Sequence, residues 1–183
     1  MNLCYETKRL NLRTLDESSA ELVRDYYFRN KDFLKEWNPA SVEGFYSLSF
    51  HYELLKSEIE KLKAGNSLRL WLFSTEEPEK VIGMISFNNI VRGVFLSCHL
   101  GYSLDEEYIN KGYITEAIKT GIDIIFKEYE LHRIEANIMP RNIRSRKVCE
   151  KLGFREEGLA KDYLKINGKW EDHIHMVLLN NEV

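Results

Sequence analysis

The stretch EEYINKGYITEAI, residues 106–118, sets one glycine, Gly112, where an irregular run rich in tyrosine gives way to a helical period. From Ile114 onward, Ala117, Ile118, Gly121, Ile122, Ile125 and Phe126 return at three- and four-residue intervals, the apolar stripe of an amphipathic helix. Just upstream, GVFLSCHLGYSL (93–104) reads as a strand, so Gly112 lies in a strand-to-helix turn. A lone glycine there is either a plain turn residue or an opening for a large anion. The first N–H groups of a helix have no intrahelical partners and stand at the positive end of its dipole. Glycine removes the side chain that would keep a phosphate away from them. Asn110, Lys111, Gly112, Tyr113, Ile114 and Thr115 therefore form a candidate pyrophosphate cradle, although they match neither a Walker A nor a GxGxxG pattern.

Outward from this turn the chain alternates between strand and helix signals. KRLNLRTL sets Leu10 and Leu12 against Arg9, Asn11 and Arg13, a short half-buried strand. Ser18 and Glu21 have capping-box spacing, which predicts a helix from Ser19 to about Phe28. DFLKEWNPASVEG reads as loop or broken helix, and a further helix is expected from Ser49 to Lys63, closed by Gly65. SLRLWLFS and KVIGMISFNNI are strands, and HRIEANIM alternates with Ile134, Ala136 and Ile138 on one face. Asn142 can cap a short helix running through Leu152, with Gly153 just beyond its end. Residues 154–179 form two strands turning at Asn167-Gly168. The sum is one mixed α/β domain over residues 1–183, with about seven strands and about four helices.

Composition narrows the function. With 44% hydrophobic and 30% charged residues the chain is an ordinary globular one, and its net charge of −3 speaks against a nucleic-acid partner. Cys4, Cys98 and Cys149 are odd in number and lack metal-type spacing, and the chain opens on no signal-peptide pattern; reduced thiols in the cytoplasm are the expectation. No apolar run is long enough to span a membrane, so no membrane partner is expected.

The words TKRLNLRTL, VIGMISFNN, LGYSLDEEYINKGYITEAI and NIRSRKVCEKLGFREEG, spread across almost the whole chain, resemble the GNAT superfamily of acetyl-CoA-dependent N-acetyltransferases. They are most similar to its RimJ/RimL-like branch, which acetylates the amino termini of ribosomal proteins. The resemblance implies a single GNAT-like domain whose sheet splays between the fourth and fifth strands to admit acetyl-CoA. It implies that the cradle holds the pyrophosphate, that Leu100, Gly101 and Tyr102 offer backbone groups to the pantetheine, and that Asn142 hydrogen-bonds it. It also places Ser145 where a hydroxyl would protonate the departing CoA thiolate. This chain departs from the pattern at Ile109 and Ile114, where a polar and a small residue are usual, and at His99, where relatives often carry Glu.

A neutral amine is needed to attack a thioester, so His99 is a candidate base or water-orienting residue; the other reading is a hydrogen-bonded strand histidine. His173 and His175 share a strand face and, with Trp37, are candidates for shaping the acceptor site. The two histidines lack further ligands at useful spacing, and no metal is expected. Cys149 is either a nucleophile or a small residue packed on the sheet. Arg144 and Lys147, within the basic run from Arg141 to Lys151, either meet the cofactor's phosphates or form a solvated face. The expected activity is direct acetyl transfer from acetyl-CoA to a primary amine, by resemblance a ribosomal-protein α-amino group. A small amine, amino acid or antibiotic is the alternative acceptor. A non-catalytic acyl-CoA sensor and a nucleotide-binding regulatory domain are the readings from other classes. Monomer and homodimer both remain open.

Overall fold

The computed structural model describes residues 3–182; Met1, Asn2 and Val183 of the expected 1–183 domain lie outside the described residues. A mixed sheet of eight strands forms its centre: β1 (Cys4–Glu6), β2 (Leu10–Arg13), β3 (Leu68–Ser74), β4 (Val81–Val91), β5 (Ser97–Leu104), β6 (Arg133–Ile138), β7 (Arg155–Ile166) and β8 (Lys169–Leu179). Their spatial order is β1-β2-β3-β4-β5-β6-β8-β7. Among the described residues only β5 and β6 run parallel, and α4 (Tyr113–Lys127) makes the crossover between them. α1 (Ala20–Arg29), α2 (Lys31–Lys35) and α3 (Leu48–Lys63) lie between β2 and β3, and α5 (Ile143–Lys151) joins β6 to β7.

Two apolar layers hold the sheet. On one face, Ala117, Ile118, Ile124 and Ile125 of α4 pack with Ile85 and Phe87 of β4, Ile134 and Ala136 of β6, and Cys149 of α5. On the other, Val23 and Tyr26 of α1 and Leu55 of α3 meet Trp71 and Phe73. α4 presses close to β4: a Cβ on Gly121 would come within 2.7 Å of Ile85 Cδ1 and 2.8 Å of Phe87. Glycine at that point of the stripe is what permits the approach. The turn between β7 and β8 falls at Asn167 and Gly168, both at positive φ as an Asn-Gly hairpin requires.

Some local expectations change. β1 adds an eighth strand, held to β2 by pairing from Cys4↔Arg13 to Glu6↔Asn11; three residues carry too little periodicity to be read alone. The stretch read as loop or broken helix contains the five-residue α2 with Leu34 buried. The capping box at Ser18 and Glu21 does not form: Asp16 accepts from the Ser18 amide and starts a 3-10 turn, Glu17–Ser19, that runs into α1. α3 is capped by Ser47, whose hydroxyl accepts from the Phe50 amide.

The parallel pair decides where a ligand can enter. β5 and β6 are in register only at Ser97↔Arg133, Cys98↔Ile134 and His99↔Glu135. Both strands continue beyond, β5 to Leu104 and β6 to Ile138, without pairing to each other. The sheet thus opens from a vertex at His99 and Glu135. In chain order among the expected seven strands these are the fourth and fifth, the pair at which the splay was expected.

Candidate active site

The opening has a floor, two helix starts and two chemical faces. Past the vertex, the β5 backbone from Leu100 to Leu104 remains paired with β4 (Leu100↔Phe87, Gly101↔Ser86, Tyr102↔Ile85), while its other edge faces the gap. Unsatisfied strand-edge groups there are ready to bind an extended chain. At the far end of β5, Gly112 caps α4 with φ +83° and ψ 1°, and no side-chain cap bond is made there. Asn110 is also left-handed, at φ +61°. The Glu116 amide is the first to bond inside the helix, to Gly112 O at 3.1 Å, leaving the amides of the cradle directed outward.

A clamp holds this loop. Arg9 forms an ion pair with Glu116 at 2.7 Å, donates to Lys111 O at 2.9 Å, and lies 4.4 Å over the Tyr113 ring. Thr7 Oγ1 donates to the same carboxylate at 2.7 Å. Burial works against ionisation of Glu116, but the bonds from Thr7 and Arg9 outweigh it and hold the carboxyl below its ordinary value. The sequence reading missed this clamp. An acidic residue in the first turn of a helix read as a candidate phosphate cradle is a conflict of charge, and that conflict was the available sign of a cationic partner.

The second helix start faces the same gap. Asn142 caps α5, its Oδ1 accepting from the Ser145 amide at 3.2 Å. The Tyr102 hydroxyl reaches across from β5 to Ser145 Oγ at 2.6 Å and lies 3.4 Å from Cys149 Sγ. Burial keeps the Tyr102 phenol well above its ordinary value, so it is neutral. Burial also pushes the Cys149 thiol up to about 11, which keeps it protonated and unreactive. Arg144 stacks 5.8 Å from Phe33, Arg146 pairs with Glu156, and Lys147 is exposed.

On the opposite face, His99, Glu135 and His175 gather at the vertex. His175 Nδ1 and Glu135 Oε1 are 2.8 Å apart, and His99 Nε2 stands 3.6 Å from the same oxygen. Asn89 Nδ2 lies 3.2 Å from His99 Nδ1. Arg133 donates to Glu135 Oε2 at 2.8 Å and also binds Glu157. Burial opposes the Glu135 charge, yet the bonds from Arg133 and His175 prevail and hold its carboxyl below the usual range. His173 is buried, its Nδ1 bonded to Glu171 O, and it backs Tyr163, whose ring stands 4.9 Å from His175. Sequence reasoning overlooked Glu135, although Arg133, Glu135 and Asn137 form the polar side of the alternation in HRIEANIM.

A groove of about 700 Å³ is lined by Tyr27, Phe45, Tyr46, Phe50, Met84 and Asn167, among others. The β7–β8 hairpin reaches the loop after α2 there, through Asn167 N to Asn38 O at 3.1 Å. Trp37 is half-buried beside this junction, under the Arg141 guanidinium at 5.7 Å; Arg141 in turn binds Glu171 at 2.6 Å. No group of three or more metal-ligating side chains occurs among the described residues.

Residues 9–155 match the family model described as the acetyltransferase (GNAT) domain. The chain belongs to the GNAT acetyltransferase family. Members of this GNAT family use acetyl-CoA as acetyl donor, and the edge of β5 with the free amides before α4 suits an extended, phosphate-bearing ligand. Among curated proteins, the [ribosomal protein uS5]-alanine N-acetyltransferase of Escherichia coli strain K12 is 40% identical over 168 residues, which is 92% of this chain and 86% of that protein. The crystal structure of ribosomal-protein-S5-alanine acetyltransferase from Vibrio fischeri superposes with a TM-score of 0.93 at 37% identity, covering 98% of both chains. Mycobacterium smegmatis RimJ in complex with CoA-disulfide gives a TM-score of 0.88 at 26% identity, over 95% of this chain and 83% of that one. This GNAT chain is therefore an N-acetyltransferase homologue along nearly its whole length.

Proposed function

We propose that this protein transfers acetyl from acetyl-CoA to the α-amino group of a protein amino terminus, as a single catalytic domain working in the cytoplasm. The parting of β5 and β6 beyond His99 and Glu135, with the Gly112 cradle at its far end, carries the reading. Among the described residues no helix is long and apolar enough to cross a membrane. Acceptor choice follows the relatives named for the alanine of ribosomal protein S5.

In this reading the pyrophosphate meets the amides of residues 110–115 and the pantetheine runs along Leu100, Gly101 and Tyr102. Asn142 supports it through the α5 start, and Arg144 and Lys147 lie toward its charged end. The amine nitrogen attacks the thioester carbonyl, and a backbone N–H near Leu100 or Gly101 stabilises the oxyanion. Collapse expels the CoA thiolate, which takes the Ser145 proton. The amine's proton leaves on the vertex side, where His99 stands, directly to a base or through a water. Trp37 and His175 line the acceptor side. Transfer is direct, in keeping with the protonated state of Cys149.

Purified protein with acetyl-CoA should release free thiol with peptides that begin with alanine. Release with small amines alone would move the acceptor to that class, and binding without release to any acceptor would make the protein a sensor. The clamp gives a second expectation. Arg9→Ala should weaken CoA binding by about tenfold, the loss of a charge-assisted bond that fixes the loop, with the fold retained. Calorimetry checks it, and unchanged affinity would show that the loop holds its shape without Arg9.

A further inference from the structure

The His99, Glu135 and His175 cluster has an internal asymmetry. Glu135 is held ionised by Arg133, so the nitrogen 2.8 Å from its Oε1, His175 Nδ1, must carry a hydrogen. A neutral imidazole with Nδ1–H keeps its lone pair on Nε2. No protein hydrogen bond to His175 Nε2 occurs among the described residues. The Tyr163 ring, 4.9 Å away and edge-on, fixes the plane of the imidazole. His99 is arranged the other way. Its Nδ1 meets the Asn89 amide nitrogen at 3.2 Å, and its Nε2 faces the Glu135 carboxylate at 3.6 Å. A carboxylate favours hydrogen on Nε2, which leaves the lone pair on Nδ1, already occupied by Asn89.

We propose that His175, positioned by Glu135, is the base that takes the proton from the attacking amine, and that His99 acts beside it as a donor. The inference rests on the acetyl transfer proposed above. As the amine lone pair forms the N–C bond, one amine proton passes to His175 Nε2. The C–S electron pair leaves with the thiolate, which Ser145 protonates. The imidazolium formed on His175 faces the Glu135 carboxylate, which stabilises it as a buried carboxylate stabilises the histidine of a hydrolytic triad. Glu135 is the positioning residue and touches no reacting atom. His175 sits on β8 one pleat beyond the vertex, opposite Asn137 across β6 from the opening, and its half-buried side chain reaches back over β6 to Glu135.

Glu135 is shared: Arg133 holds its Oε2, and His99 faces the same Oε1 that meets His175. Glu135→Gln removes the carboxylate that holds the Nδ1 hydrogen in place, so kcat should fall about tenfold with KM for acetyl-CoA unchanged.

The decisive comparison uses His175→Asn, His175→Gln and His99→Gln in the full chain, with calorimetric acetyl-CoA affinity confirming the fold. His175→Asn preserves an N–H for Glu135 but supplies no base, so it and His175→Gln should lose roughly a hundredfold in kcat with KM for acetyl-CoA unchanged. His99→Gln should lose far less. A wild-type rate in His175→Asn, or a larger loss in His99→Gln than in His175→Gln, would overturn the proposal. A second arm does not depend on turnover. Nitrogen–proton correlation spectra of the wild type should show the neutral His175 ring with hydrogen on Nδ1 and a bare Nε2, and the opposite tautomer would equally overturn it. Absence of thiol release from any peptide would instead defeat the acceptor reading and leave the spectral arm to decide this one.

Discussion

Gly112→Asp is expected to abolish CoA binding while leaving the protein folded. The new side chain would stand at the N-terminus of α4, where the cradle amides point outward, and would put a carboxylate where the pyrophosphate must lie. Like charges about 5 Å apart at an effective dielectric of about 20 repel by about 3 kcal/mol, on the order of a hundredfold in affinity for each phosphate charge so placed. The strain is smaller. Aspartate tolerates the left-handed region at a cost of about 1–2 kcal/mol, and its Cβ would meet only Arg9 Nη2, at 3.4 Å. That contact lets the new carboxylate pair with Arg9, which supports the fold and removes the clamp from Glu116. Gly112→Ala carries the strain without the charge and should keep most of the affinity. Calorimetry with CoA on both variants tests the assignment, and equal affinities for Asp and Ala would remove the cradle from this turn.

How far the fold could be read depended on the length over which a pattern repeats. The stripe from Ile114 to Phe126 is four turns long and predicts α4 with its buried side. The alternation in HRIEANIM likewise predicts β6, and the turn at Asn167-Gly168 predicts the hairpin. β1 and α2 escaped because three and five residues hold less than two periods, and they are held by partners distant in the chain: Tyr5 of β1 to Glu128, and Leu34 of α2 in the second core. The Ser18–Glu21 spacing fitted a capping box but lost to Asp16, whose carboxylate takes both the Ser18 amide and the Ser18 hydroxyl. At the site, Gly112 was marked by its turn and Asn142 by its place as a cap, while Ser145 and the Tyr102 backbone were named by the family resemblance. Glu135, Arg9 and the Tyr102 hydroxyl make their contacts across strands or from the far end of the chain. Their roles depend on which strands are neighbours, and the parallel pairing of β5 with β6 is the one relation that local periodicity cannot supply.

Ser145→Ala should lower kcat by roughly 100- to 10,000-fold, the range of a positioned general acid, with acetyl-CoA affinity nearly intact. The serine amide is already satisfied by Asn142 Oδ1, so removing the hydroxyl leaves the α5 cap in place. The hydroxyl itself bonds to Tyr102 at 2.6 Å, and this contact divides two mechanisms. If the tyrosine donates to Ser145 Oγ, the serine hydrogen is free to meet the thiolate, and the proton is replenished from behind. Tyr102→Phe should then reduce kcat only about tenfold, because the acid survives and loses one polarising bond. If Tyr102 is itself the acid, the order reverses, with Tyr102→Phe the more damaging change and Ser145→Ala the milder. Tyr163, a further hydroxyl that could be considered as the acid, instead packs its ring against His173 and His175. Single-turnover rates, measured beside acetyl-CoA affinity for both variants, separate the outcomes. A normal rate in Ser145→Ala would take the acid away from α5 altogether, and joint loss of affinity and thermal stability would reduce the serine to a structural partner of Tyr102.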